Sequence, residues 1–232
     1  MIDLSADLGE GAPDEEAIWP LITSANVACG GHVGDAKSMQ HAASRAREHG
    51  VRLGAHPSYP DRENFGRKSM SMEPAQLRAS LVKQISALRA FAPLHHVKPH
   101  GALYNDAHRD RELASVVIDG LLEIGEVAIV CSDTSMMAAA ARARGVRVIR
   151  EAFADRRYQH DGSLTPRGTP GALLTVDEAA AQAELLARDG AVIAGDGSTI
   201  AIPHDTICIH ADMEHAAERL LAIRRRITIR TS

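Results

Sequence analysis

Short runs in which apolar and polar residues alternate are separated along this chain by longer stretches with apolar residues three and four apart. The β-like runs fall at 2–8 (IDLSADL), 23–29, 51–56, 95–100, 127–132, 146–151 and 206–210, and 171–174 reads equally as strand or loop. Helical periodicity is clearest over 74–91, where Leu77, Leu81, Ile85 and Leu88 share a face and Pro74 suits a first turn. Leu113, Val116, Val117, Leu121 and Ile124 repeat the pattern over 110–124, and 133–143 is alanine-rich. Thr175 and Glu178 form a T-x-x-E capping box opening a helix over 176–189, and 35–49 and 212–227 complete the set. Strands that alternate with helices of this length imply βαβ units and a parallel sheet. Seven or eight units in about 230 residues fit a closed TIM-like β/α barrel better than an open doubly wound sheet. No linker or low-complexity tract interrupts the pattern, so one catalytic domain over 1–232 is expected.

Composition narrows the function classes. The 232 residues carry a formal net charge of −4, and only 3% are aromatic. Nucleic-acid binding needs clustered positive charge and stacking platforms, and neither is present. Cys29, Cys131 and Cys208 stand far apart with no CxxC pair, so neither a disulfide framework nor a zinc knuckle is suggested. The start MIDLSADLGEG is charged by residue 3 and has no apolar run, which predicts no signal peptide and a cytoplasmic protein. No P-loop and no G-x-S-x-G elbow occur.

The reactive residues cluster where strands end. Asp7, Cys29 with His32, His56, His100, Ser132, Glu151 with Asp155, and His210 with Asp212 each follow the apolar part of a β-like run. In a β/α barrel those ends build the active site. Strand parity places Asp3, Ser5 and Asp7 on one face, groups His96, Lys98 and His100, and groups Cys208, His210 and Asp212. Carboxylates and a lysine turned inward are costly unless paired, which implies a mutual polar network. Lys98 would put positive charge at an oxyanion or carboxylate, and Arg67, ending GAHPSYPDRENFGR, could clamp an anion. KPHGALYN (98–105) reads as a loop offering Tyr104 and Asn105. Asp35 suits a helix N-cap, and Asp155 with Arg156 reads as an ion pair that either orients the site or lies on the surface. His41, His49, His95, His108, His160, His204 and His215 show no organised neighbourhood.

The stretches DLSADLGEG, TSANVACGGHVGD, GAHPSYPDRENFGR, VKPHGALYN, EAFADRRYQHDGSLTPR and DTICIHAD, in this order, resemble the LamB/YcsF family. Ser5 stands where that family usually has Asn, Gly31 where it has Phe, and Ala211 where it has Gly. Ser5 and Gly31 are expected near the mouth, where they bear on substrate preference. The resemblance implies a seven-stranded barrel of the glycoside hydrolase/deacetylase type. It also implies ATP-dependent opening of 5-oxo-L-proline to L-glutamate together with the B and C subunits of a 5-oxoprolinase, with Mg2+ accompanying the ATP. On that reading Asp7 and His100 act as base or position water, and His56 and His210 transfer protons or contact phosphate. Lys98 and Arg67 supply positive charge, Asn26, His32 and Tyr104 orient the substrate, and Asp35, Asp155, Arg156 and Asp212 are expected with Arg67 among its binding residues. Two alternatives stay open: a metal-dependent deacetylase-like hydrolase acting alone, with Asp7, His56 and His100 as ligands, and a non-catalytic subunit that binds a small carboxylate.

Overall fold

A computed structural model describes residues 2–229. In chain order its strands are β1 (Asp3–Leu8), β2 (Ser24–Ala28), β3 (Arg52–His56), β4 (His96–Val97), β5 (Ala128–Cys131), β6 (Val148–Phe153), β7 (Ala191–Ile193), β8 (Thr199–Ala201) and β9 (Thr206–His210). The helices are α1 (Glu15–Ile18), α2 (Ala36–His49), α3 (Pro74–Arg89), α4 (Gly101–Arg109), α5 (Arg111–Ile124), α6 (Met136–Ala143), α7 (Val176–Asp189) and α8 (Ala216–Arg226). Seven strands form a closed parallel barrel in the order β1-β2-β3-β4-β5-β6-β9, and β9 closes it by pairing with both β6 and β1. This is the TIM-like β/α architecture the alternating pattern predicts.

The structure decides segment 171–174, open in the sequence between strand and loop, and corrects segment 101–105, read there as a loop. Segment 171–174 is not a barrel strand: Leu173 makes only an isolated bridge to Arg156. The chain instead forms a separate antiparallel hairpin from β7 and β8, whose turn Asp196 stabilises by accepting from the Ser198 amide. Segment 101–105 is also not a loop, because α4 starts at Gly101 and carries Tyr104 and Asn105. Nine residues give too few apolar repeats for periodicity to register.

Alternation within the strands sorts the side chains as parity predicts. Leu4, Ala6 and Leu8 of β1 are fully buried in the apolar core, where Leu77, Leu81, Ile85 and Leu88 of α3 also lie. Ser5 and Asp7 are buried too, on the opposite face. Asp7 lies in register with Asn26 on one side and His210 on the other, so polar groups from three strands meet at one level. Local caps fix where the helices begin. Asp35 and Ser38 form a reciprocal capping box at α2, as Thr175 and Glu178 do at α7.

Candidate active site at the barrel mouth

The site begins where β1 ends. Gly9 (φ 74°) and Gly11 (φ 77°) adopt left-handed backbone, and their amides donate to the Glu15 carboxylate of α1. This turn brings Glu10 back over the barrel, with its side chain only 3% exposed. Its Oε1 lies 3.1 Å from His32 Nε2, 3.4 Å from His100 Nδ1 and 3.9 Å from His56 Nε2. Among the described residues, Glu10, His56 and His100 could hold a metal ion, with one ligand atom from each lying within 4.8 Å of the others. Burial pushes the Glu10 carboxyl up to about 7, with His56 partly opposing that rise.

Beneath this cluster lies a buried ion network. Lys98 Nζ donates to Asp7 Oδ1 (2.9 Å) and to Cys208 Sγ (3.1 Å), and ion-pairs with Glu151 Oε1 at 2.7 Å. Burial alone would raise the Asp7 carboxyl, but Lys98 and His56 outweigh it and hold the group well below its ordinary value. The same exchange runs the other way at Lys98. Burial disfavours its charge, yet Asp7 and the neighbouring acids push its pKa well up. Asn26 Nδ2 donates to Asp7 Oδ1, and Asn26 Oδ1 lies 2.8 Å from His96 Nε2, which extends the network inward. Both Asp7 and Lys98 are therefore ionised at neutral pH, and the ammonium protons are directed at acids and a thiol.

Asp7, Glu10, His56, Lys98, His100 and His210 open on a cavity of about 430 Å³. Its rim is cationic: Arg67, Arg109, Arg156 and Arg167 line it, a set that suits a carboxylate or phosphate. Asp212 bridges the rim, pairing with Arg67 and, at 3.2 Å, with Arg167. On the β9 side, Asp155 is fully buried and accepts from the His210 amide at 2.8 Å, while its carboxylate also lies 3.0 Å from His210 Nδ1. His210 is stacked on Phe153, with its other nitrogen not engaged by Asp155. A smaller cavity of about 210 Å³ adjoins and shares Tyr104, Asn105, Arg109, Phe153 and Leu164 with the first.

Most expected site residues converge here, though not all by lining the cavity. Asp7, His56, Arg67, Lys98, His100, Tyr104, Arg156, His210 and Asp212 do line it. Asn26, His32 and Asp155 lie behind it and touch its lining residues. Asp155 and Arg156 do not pair with each other, since Asp155 serves His210 and Arg156 Nη2 donates to Thr165 O. Asp35 is a correction: its carboxylate is at the surface, accepting from the Ser38 amide as the α2 cap, away from the mouth. Asp7 is placed nearer to Lys98 than to His56, whose Nε2 is 3.5 Å away, and Glu10 takes its place beside the two histidines. His108 and His160 line the smaller cavity. Glu10, Arg109 and Arg167 have no assigned role in the sequence reading. Glu10 carried one signal, a carboxylate between two glycines directly after a strand end.

Two departures from the family pattern prove to be packing positions. Ser5 is buried within the barrel and accepts from Thr206 Oγ1 at 3.0 Å, below the cavity. A Cβ at Gly31 would lie 2.3 Å from Gln84 Oε1 and 2.4 Å from Ser58 Oγ. Gln84 of α3 fills that space, accepting from the Ser58 amide and donating to the Ser58 carbonyl. Neither residue lines the cavity, contrary to their expected place at the mouth.

The family model of the LamB/YcsF family matches residues 2–231. The 5-oxoprolinase A subunit of Chloroflexus aggregans (strain MD-66 / DSM 9485) is 46% identical over 248 residues, covering 99% of this chain and 98% of its own. The 5-oxoprolinase A subunit of Neisseria meningitidis serogroup C (strain 053442) is 44% identical over 222 residues, covering 93% of this chain and 91% of its own. The crystal structure of a lactam utilization protein from Thermus thermophilus matches with a TM-score of 0.92 at 39% identity, covering 100% of this chain and 99% of that one.

Proposed function

The chain belongs to the LamB/YcsF family, and from that premise we propose that it is the A subunit of an ATP-dependent 5-oxoprolinase, hydrolysing 5-oxo-L-proline to L-glutamate together with the B and C subunits. The observation that carries the reading is the end-to-end similarity, 44–46% identical, to relatives named as the A subunit of 5-oxoprolinase. The cationic rim above a buried acid–imidazole cluster supports it, because the substrate offers one carboxylate and one lactam carbonyl. The assembly works in the cytoplasm, where ATP is available. Among the described residues no helix is long and apolar enough to cross a membrane.

A five-membered lactam is a stabilised amide, so its opening needs an energy source. ATP supplies it as a co-substrate by phosphorylating the amide oxygen, with Mg2+ as its counter-ion. Water then adds to the activated carbon, the C–N bond breaks with the proton passing to nitrogen, and a second water releases phosphate. The sum is 5-oxoproline, ATP and two waters giving glutamate, ADP and phosphate. No P-loop motif occurs in the sequence, and the four rim arginines fit a phosphate or the substrate carboxylate.

In this scheme His210 carries the proton. Asp155 fixes its ring through Nδ1, leaving Nε2 for the leaving nitrogen, the geometry of a general acid held by a buried carboxylate. Asp7, held ionised by Lys98, positions water rather than accepting a proton. Lys98 and Asn26 hold that carboxylate in place through donated hydrogen bonds, while Tyr104, whose hydroxyl accepts from the Ser132 amide, walls the cavity.

The test is glutamate release from 5-oxoproline with ATP, using the chain alone and then mixed with its B and C subunits. Release only in the mixture, and only with ATP, is expected. His210→Asn is expected to lower kcat by about 10²–10⁴-fold in that mixture. Release by the chain alone without ATP would replace this reading with that of a free-standing amidohydrolase.

A further inference from the structure

The histidine tautomers at the mouth are set by backbone carbonyls. His56 Nδ1 lies 2.7 Å from Lys98 O, and His100 Nε2 lies 2.9 Å from Phe65 O. A carbonyl only accepts, so each of these nitrogens carries a hydrogen. Phe65 holds its carbonyl there from a left-handed backbone conformation (φ 55°), unusual for a side chain of that size. The remaining nitrogens, His56 Nε2 and His100 Nδ1, face each other at 3.0 Å. In neutral rings both present lone pairs, and two lone pairs at that distance need a cation between or beside them.

Glu10 completes a triangle. Its Oε1 stands 3.4 Å from His100 Nδ1 and 3.9 Å from His56 Nε2, beside the 3.0 Å nitrogen–nitrogen edge. The point equidistant from the three atoms is about 2.0 Å from each, at the short end of the ~2.0–2.2 Å range for zinc bound to imidazole and carboxylate. The surroundings are those of ligating groups. The far nitrogen of each histidine donates to a carbonyl, which is the usual second contact of a metal-bound imidazole. His32 lies 3.1 Å from Glu10 Oε1 through Nε2 and stacks on His100 at 3.7 Å, fixing both. Its Nδ1 is buried without a hydrogen-bond partner. The open side of the triangle belongs to the cavity that Glu10, His56 and His100 line.

We propose that Glu10 Oε1, His56 Nε2 and His100 Nδ1 bind a divalent transition-metal ion of the zinc class, leaving one coordination position open to the cavity. Such an ion would polarise the lactam carbonyl or a water there. The proposal deepens the oxoprolinase reading and rests on it only for the identity of the substrate.

The experiment uses the full chain alone, stripped by a chelator and titrated with Co2+. One ion per chain is expected, with the visible absorption of four- or five-coordinate cobalt, displaced by Zn2+. Glu10→Gln and His100→Gln should each bind at least about 100-fold more weakly. His41→Ala, at an exposed histidine paired with Glu16, should bind as the parent does. X-ray absorption on the parent zinc form, which needs no variant to fold, should show two imidazoles and an oxygen at about 2.0–2.1 Å. No bound cobalt, fewer than two imidazoles, or unchanged binding in His100→Gln would overturn the site and leave a shared proton as the cation. Metal binding by the chain with no glutamate release in the mixture with the B and C subunits and Mg2+-ATP would sink the substrate assignment alone, and full glutamate release by a mixture stripped of transition metal would sink the ion's part in the reaction alone.

Discussion

At the scale of single residues, the barrel interior is governed by charges that cannot be removed singly. Lys98 stands between Asp7 and Glu151, with all three side chains at most 6% exposed. Lys98→Met leaves two buried acids facing one another, so a loss of about 3–5 kcal/mol is expected in urea unfolding. A loss below about 1 kcal/mol would show that Asp7 and Glu151 escape by taking up a proton. Asp3, at the opposite end of β1, makes a prediction in pH. Burial would raise its carboxyl, but the Thr23 hydroxyl and Arg52 outweigh burial and lower it from 3.8. A depressed folded value stabilises the protein at any pH above the unfolded value, and the contribution fades as pH falls through the folded one. The stability difference between the parent and Asp3→Asn should therefore be constant above about pH 5 and shrink below about pH 4. A difference that grew on acidification would contradict the assignment.

At the scale of elements, the functional loops are placed by close backbone approaches. Gly101 opens α4 with φ 58°, and a Cβ there would lie 2.5 Å from Gly66 O. The Ala102 amide donates to that same carbonyl, so the 57–67 loop and α4 are fastened there, as they are again where the Tyr59 hydroxyl donates to Asp106. Gly101→Ala must either push the loop away or force the backbone out of its conformation. A loss of about 1–3 kcal/mol is expected, with a larger fall in kcat than in the activity of a surface control, because Phe65 O and His100 shift together. Unchanged kcat in the assembled enzyme would show the fastening to be incidental. Helix α4 is hidden in the sequence for a local reason: KPHGALYN contains turn-forming residues and no repeat, so it reads as loop. The 57–67 loop and the helix beyond it supply the contacts that make it helical.

At the scale of the whole molecule, closure decides everything above it. β9 pairs in parallel with both β1 and β6, so the last barrel strand fastens the first to the sixth. A chain ending before residue 206 leaves two unpaired strand edges and an open core. It should lose cooperative thermal unfolding by circular dichroism, whereas removing only the residues after α8 should not. A cooperative transition in the shorter chain would show that six strands suffice. Closure is also what assembles the mouth, since Arg67 and Asp212 meet there from loops 145 residues apart.

The sequence by itself determined the alternation of strands and helices, the inward polar face of β1, and the acid and imidazole groups at strand ends. Each of these depends on a period of two or three to four residues, which any local window contains. The grouping of His96, Lys98 and His100, all buried, follows from strand parity alone. The α2 cap at Asp35 was legible for the same reason, because Ser38 lies one turn away. The tertiary structure alone decided that Asp35 serves only that cap, that Gln84 fills the space beside Gly31, and that Asp155 serves His210 rather than Arg156. It alone turned Glu10 toward His56 and His100, through two left-handed glycines whose angles no periodicity encodes. Which polar groups face each other across a barrel depends on strand register and closure, and those are set by the core as a whole rather than by any residue's neighbours in the chain.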